Sequence, residues 1–213
     1  MPAVRTRGSA GDPQIGQAPG ELAAVQAFVN TRDIEAGTDE LTSPQALDRW
    51  LASAGLTGQF GDPAPPSGPA ELELAIDLRE SLRAVLRTHV THARARRPDN
   101  RLPRTAAELG GAARLAAIAA VMRPRIQVAA DGGIRVAAGL AGSRGGLSEL
   151  LLIASRAETL GTWSRLKVCS ADDCQWAFYD RSPTRNGCWC SMQVCGSRAK
   201  SRAYRSRSLS HTS

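Results

Sequence analysis

Four cysteines near the C-terminal end, Cys169, Cys174, Cys190 and Cys195, form two pairs with the same four-residue gap, written CSADDC and CSMQVC. Paired, evenly spaced thiolates are the ligand chemistry of a tetrahedral zinc site. Each pair bends the backbone so that both sulfurs face one ion, and the fifteen residues between the pairs bring the chain back to it. The surrounding stretch holds too few apolar side chains to fold by burial alone, whereas a structural zinc supplies on the order of 10–16 kcal/mol of coupled binding and folding. Four thiolates complete the coordination shell of one Zn2+, leaving no open position at which water could be activated.

Disulfides and buried free thiols are the competing fates of these cysteines. No apolar signal core follows the arginines of MPAVRTRGSAGDPQIGQAPG, so a reducing cytoplasm is expected and disulfides are disfavoured. All five cysteines of the chain lie between positions 169 and 195, unlike small core residues scattered through a fold. Cys188 is the remainder. It could replace Cys190 only by lengthening the second gap to six and losing the symmetry, and it reads as a spare thiol.

A second chemistry follows the last cysteine. From Arg198 to Arg207 there is no proline and helix formers predominate, so a helix is expected to open at the second cysteine pair. On it Arg198, Arg202 and Arg205 share one face by i, i+4, i+7 spacing, while Ala199 and Ala203 lie on another that can approach the metal. From Lys167 to Arg207 eight Lys or Arg stand against three Asp, in a chain of formal charge +7. A basic surface braced by a metal cluster suits phosphate, because each neutralised phosphate releases condensed counterions. Arg198, Lys200, Arg202 and Arg205 are the candidate contacts to DNA; a merely solvated basic helix is the plainer alternative.

Other polar residues point to chemistry less sharply. Asn30 and Thr31, after an apolar helix, either face a ligand pocket or end the helix. His89 and His92 share a helical face but have no carboxylate pair near them in sequence, so surface or half-buried histidines are favoured over a second metal. GLAGSRGG lacks the Gly-Lys-Ser/Thr ending of a nucleotide loop and reads as a connector. HExxH, GxSxG and Rossmann glycine patterns are absent, so a non-enzymatic protein is expected.

The elements that position these groups can be drawn from periodicity. Residues 1–19 are rich in Gly, Pro and Ala and read as a disordered leader. Leu22, Val25, Phe28 and Val29 mark a first helix ending near Asn30. Ser43 is placed as an N-cap with Pro44 at the first helical position, ahead of Leu47, Trp50 and Leu51, and Gly55 closes that helix. GDPAPPSGP is a linker; a long helix runs from about Glu71 to Ala95, and another from Ala106 to Met122, stopped by Pro124. Arg125–Val128 and Ile134–Val136 flank Asp131-Gly132-Gly133, a strong hairpin signal, and a last helix spans about Leu147 to Leu160. Around the first cysteine pair, Leu166, Val168, Trp176, Phe178 and Tyr179 favour a short hairpin whose turn carries Cys169 and Cys174.

The predicted fold is mainly α with a small β-hairpin. It has an α-rich domain over 20–160, a treble-clef-like or ribbon-like zinc module over 161–208 and a disordered tail at 209–213. Because the larger part has its own apolar faces, a chelator is expected to disorder the module and leave most helix intact.

Two segments also carry family resemblances. RLKVC, Trp176–Asp180, Ser182, the WCSM block and Cys195-Gly196-x-Arg198-x-Lys200 resemble the CGNR zinc finger, a C-terminal module of bacterial transcription regulators. Ser197 stands where the family has Asn, and Gly187-Cys188 where paired arginines are usual; neither touches a zinc ligand. Phe28-Val29-Asn30-Thr31-Arg32-Asp33, LDRWLASAGL and DLRESLRAVLR resemble the ABATE domain, the usual N-terminal companion of that finger. The resemblance implies a zinc-dependent DNA-binding regulator whose larger domain senses a signal, with a small-molecule effector and a homodimer both compatible. The competing implication is a zinc-stapled module for protein interaction or dimerisation without DNA binding.

Overall fold

The structure, a computed structural model, describes residues 15–56, 65–95 and 106–210. Expectations for the leader at 1–14, the first part of the linker at 57–64, the tail at 211–213 and the His92 side chain lie outside the described residues. After a two-residue strand β1 (Ile15–Gly16) come α1 (Leu22–Val29), a small hairpin β2 (Arg32–Asp33) and β3 (Thr38–Asp39), and α2 (Pro44–Ser53). The long helix α3 (Pro69–Ala95) is followed by α4 (Ala106–Val121), the ribbon β4 (Arg125–Val128) and β5 (Ile134–Ala137), and α5 (Gly142–Thr159). The chain closes with β6 (Leu166–Val168), β7 (Ala177–Asp180) and α6 (Ser197–Ser210).

Local chemistry explains most boundaries. Ser43 accepts the Ala46 N–H at 3.2 Å with Pro44 at the first helical position, and Gly55 adopts φ +69 where α2 ends. α3 is the spine: Ala75, Leu78, Leu82 and Leu86 are wholly buried along one side, against α1, α2, α4 and α5. Truncating one of these leucines to Ala costs about 2–5 kcal/mol.

Of GLAGSRGG, expected as a connector, only residues 139–141 lie outside a helix; Gly142 to Gly146 form the first turn and more of α5, which starts at Gly142 rather than Leu147. Its glycines answer a packing demand. A Cβ on Gly146 would overlap the Leu56 carbonyl oxygen, so only glycine lets α5 lie against the end of α2.

The expected boundary near Gly161 does not separate two cores. β6 and β7 pair antiparallel, Leu166 opposite Tyr179 and Val168 opposite Ala177. By strand alternation those four side chains lie on one face and join the helical core with Leu82, Leu86 and Leu150. Phe178, with Trp176 beside the strand, faces the other way into a cluster with Cys169, Cys174, Cys190 and Cys195. One hairpin therefore belongs to both regions. β1 extends the same sheet, with Ile15 opposite Asp180 and Gly16 opposite Tyr179, so residues 15–19 of the expected leader are ordered here. The expected tail is helical through Ser210.

Candidate metal centre and the residues that brace it

Cys169 leaves β6 and Cys174 precedes β7, so the first pair sits on the turn of a two-stranded hairpin as the spacing predicts. Within that turn the Cys174 and Gln175 amides both donate to the Ala171 carbonyl, and Gln175 exits in the left-handed region at φ +50. The second pair frames one wide helical turn, Met192–Gly196, whose start is capped by Ser191 accepting the Val194 N–H at 3.2 Å. The Ser170 N–H donates to the Cys188 carbonyl at 2.9 Å and joins the two halves.

The four sulfurs lie within 4.8 Å of one another, all buried. Cys174 and Cys190 are 3.6 Å apart and Cys190 and Cys195 3.7 Å. A tetrahedron with Zn–S bonds of about 2.3 Å has edges of ~3.8 Å, so the spacing fits one zinc ion. Backbone N–H groups of Cys190 and Ala171 reach the Cys169 sulfur, and that of Trp176 reaches Cys174.

Crowding sets the thiols against one another. Hydrogen bonds from Cys174 and Cys190 pull Cys169 down to about 4, and the ionised Cys169 in turn pushes Cys174 and Cys190 up, with burial adding to the rise. Four thiolates in such a space require a dication, and these cysteines form the structural zinc site. Cys188 is half-buried and stands outside the cluster.

Arg198 is the link between this centre and the rest of the fold. Its Nη2 donates to the Cys195 sulfur at 3.3 Å, and its guanidinium grips Glu35, in the turn between β2 and β3, at 3.0 and 3.2 Å. Hydrogen bonds to Glu35 and then to Cys195 raise the guanidinium above its ordinary range. Asp173 lies 3.9 Å from Arg198 and 3.6 Å from Arg202. Two of the four candidate DNA-binding residues thus lean on carboxylates of their own chain. Lys200 and Arg205 are exposed.

Asn30 and Thr31 are buried in the seam. Asn30 clasps the backbone of β7, donating to the Ala177 carbonyl at 2.9 Å and accepting its N–H at 2.8 Å. Gln26 adds a bond to the same carbonyl and accepts the Ala18 N–H, which fixes the entry to α1. The Thr31 hydroxyl donates to Phe28 and accepts from Arg79. The two polar residues that are candidates either for a pocket or for a helix end sit at the end of α1 with their side chains engaged in holding the two parts together.

Three arginines that the sequence shows only as part of DLRESLRAVLR, with no role assigned, complete this seam. Arg79 is buried and bidentate on Asp39 at 2.7 and 2.8 Å, with Nε on Glu80. Arg83 donates to the Gln175 carbonyl in the zinc turn at 2.8 Å and to the Val29 carbonyl at the end of α1 at 2.7 Å. Burial pulls its guanidinium below the ordinary range, with Glu80 opposing. Arg87 reaches Asp172 at 3.0 Å. Their signal in the sequence is a four-residue repeat of arginine along the buried side of an apolar helix.

Lys167, counted with the basic surface, is instead a buried ion. Its ammonium meets Asp180 at 2.8 Å and the Arg185 and Gly187 carbonyls at 2.6 and 3.2 Å. Burial raises the Asp180 carboxyl, but hydrogen bonds from Lys167 and Ser182 outweigh it and hold the group below the usual carboxylate range. The Gly187 N–H also donates to Asp180, and a Cβ on Gly187 would stand 2.9 Å from that oxygen, so a larger residue there must displace the ion pair.

His89 Nδ1 donates to the Leu166 carbonyl at 2.7 Å, and the ring packs edge-on against Trp163, which places it in the same seam rather than beside a metal. Among the described residues no helix is long and apolar enough to cross a membrane.

Comparison with protein families matches residues 22–162 to the ABATE domain, described as "Putative stress-induced transcription regulator". Residues 165–208 match the CGNR zinc finger. No curated protein matches the chain.

Proposed function

From the premise that the chain belongs to the ABATE family and ends in a CGNR zinc finger, we propose that it is a transcription regulator that grips duplex DNA with α6. The observation that carries this reading is the placement of exposed Lys200 and Arg205 on a helix that starts directly after the zinc ligand Cys195. Metal coordination holds the start of the helix against β6 and β7, so its cations are offered from a rigid base. Rigid placement lowers the entropy lost when cations meet phosphates.

In this reading Lys200 and Arg205 meet phosphates directly. Arg202 joins them by leaving Asp173, a weak exposed pair at 3.6 Å. Arg198 braces the helix through Cys195 and Glu35 and reaches DNA only if Glu35 lets it go. That ion pair is also the route by which a signal received in the helical part reaches the DNA-binding helix. The protein acts by binding, and the zinc is structural. Its location is the cytoplasm.

The experiment is titration of zinc-loaded protein into duplex DNA with and without chelator. Binding at low salt that disappears on chelation is expected. Absence of binding to any duplex at low salt, in protein shown to be folded and zinc-loaded, contradicts the reading.

A further inference from the structure

The ribbon β4–β5 pairs Ile126 with Val136 and Val128 with Ile134, which puts four β-branched side chains on one face. Ile126 is 75% exposed, Val128 70%, Ile134 74% and Val136 50%. On the opposite face Arg135 donates to Gln127 at 2.8 Å, so polar bonding is met on the side away from the apolar four. α4 leads into this ribbon and is itself unusual. Its exposed positions 112, 113, 116, 117, 119 and 120 are all alanine, Val121 is 59% exposed, and Arg114 is the only charged side chain described on it. A helix face made of alanine offers little that water must solvate, and an exposed row of β-branched residues on a ribbon marks an interaction site.

We propose that this surface docks a second copy of the chain, ribbon face on ribbon face. Three observations select that occupant. The exposed apolar area of Val121 and the four ribbon residues is on the order of 500 Å2, the size of patch that marks an interaction site. The ribbon's charges are self-complementary under a two-fold axis. Exposed Asp131 sits at the tip and exposed Arg123 just before the base, so antiparallel ribbons set each tip against the other's base, while Arg125 and Arg135 lie on the polar face turned away from the partner. The chain's undescribed segments offer no substitute, since their large apolar residues are only Met1, Val4, Phe60 and Leu102, scattered over several stretches.

The zinc cluster and α6 take no part in this interface, so the proposal stands or falls separately from the DNA reading. The test is sedimentation of the full-length, zinc-loaded protein at micromolar to hundred-micromolar concentration, beside the double variant Ile126→Glu/Ile134→Glu and the control Leu160→Glu. Leu160 is equally exposed, at 76%, but lies after α5 outside the patch. Wild type and control are expected at twice the monomer mass, and the double variant at monomer mass with unchanged helical circular dichroism and melting. A monomeric wild type overturns the proposal, as does a double variant that still dimerises. A monomeric wild type whose double variant melts lower would show instead that the chain's own segments cover the ribbon.

Discussion

On α3, Arg79, Arg83 and Arg87 recur every four residues, and on α6 Arg198, Arg202 and Arg205 do nearly the same. Their fates differ by degrees along a single gradient. The side chains of Arg79, Arg83 and Arg87 are 1%, 4% and 33% exposed, and those of Arg198 and Arg202 are 34% and 50%. What separates the rows is the supply of acceptors. α3 lies beneath the end of α1, the β2–β3 hairpin and the zinc turn, all of which present carbonyls or carboxylates to it. The arginines of α6 meet Glu35, Asp173 and one thiolate, and these lie near its first turns. Arginine spacing reports a face; the acceptors brought by distant sequence decide whether that face holds the protein together or remains to meet a partner. The α3 row is thus a staple between the helical part and the zinc turn, and the outer α6 row is exposed, which is where the proposed function puts phosphate.

The contrast breaks most severely on removal of zinc. Because β6 and β7 supply Leu166, Val168, Ala177 and Tyr179 to the helical core, chelation should lower the melting of the whole chain rather than only disorder residues after Gly161. Replacing Cys169, Cys174, Cys190 or Cys195 by Ser should act the same way, while Cys188→Ser should retain one zinc per chain. Thermal circular dichroism with elemental analysis checks this, and an unchanged helical melt in metal-free protein would restore two independent units.

Next in size is Arg83→Met. It strands the Val29 and Gln175 carbonyls and should cost about 3–5 kcal/mol in urea unfolding. Arg205→Ala, on the other row, should stay within about 0.5 kcal/mol. Equal destabilisation by the two would erase the distinction between the rows.

The smallest effect sharpens the boundary between them. Glu35→Gln frees Arg198 from a half-buried pair, so duplex affinity at low salt should rise a few-fold and the salt dependence should steepen by up to about 0.9. A fall in affinity would mean that Glu35 positions α6 and does not compete with DNA.

Legibility in the sequence follows the range of the interaction. The zinc ligands, the Ser43–Pro44 cap and the Asp131-Gly132-Gly133 turn are readable because their chemistry closes within a few residues. Gly146 is not, since its reason is the Leu56 carbonyl ninety positions away. Asn30 resembles a pocket residue for the same cause: its partner is the Ala177 backbone, 147 residues on. Lys167 reads as surface charge because nothing near it in sequence announces that Asp180 and the Gly187 carbonyl enclose it. The shared hairpin is half legible, because alternation shows that β6 and β7 have two faces but not that helices wait on one of them.

The central claim is that the outer α6 row meets nucleic acid phosphate, and the salt dependence of duplex binding tests it most directly. Zinc-loaded wild type and the Lys200→Ala/Arg205→Ala variant are titrated into one duplex across a series of salt concentrations. If each of the two side chains neutralises one phosphate, the slope of log K against log salt should be shallower in the variant by about 1.8, with folding and zinc content unchanged. Equal slopes for the two proteins would contradict the account.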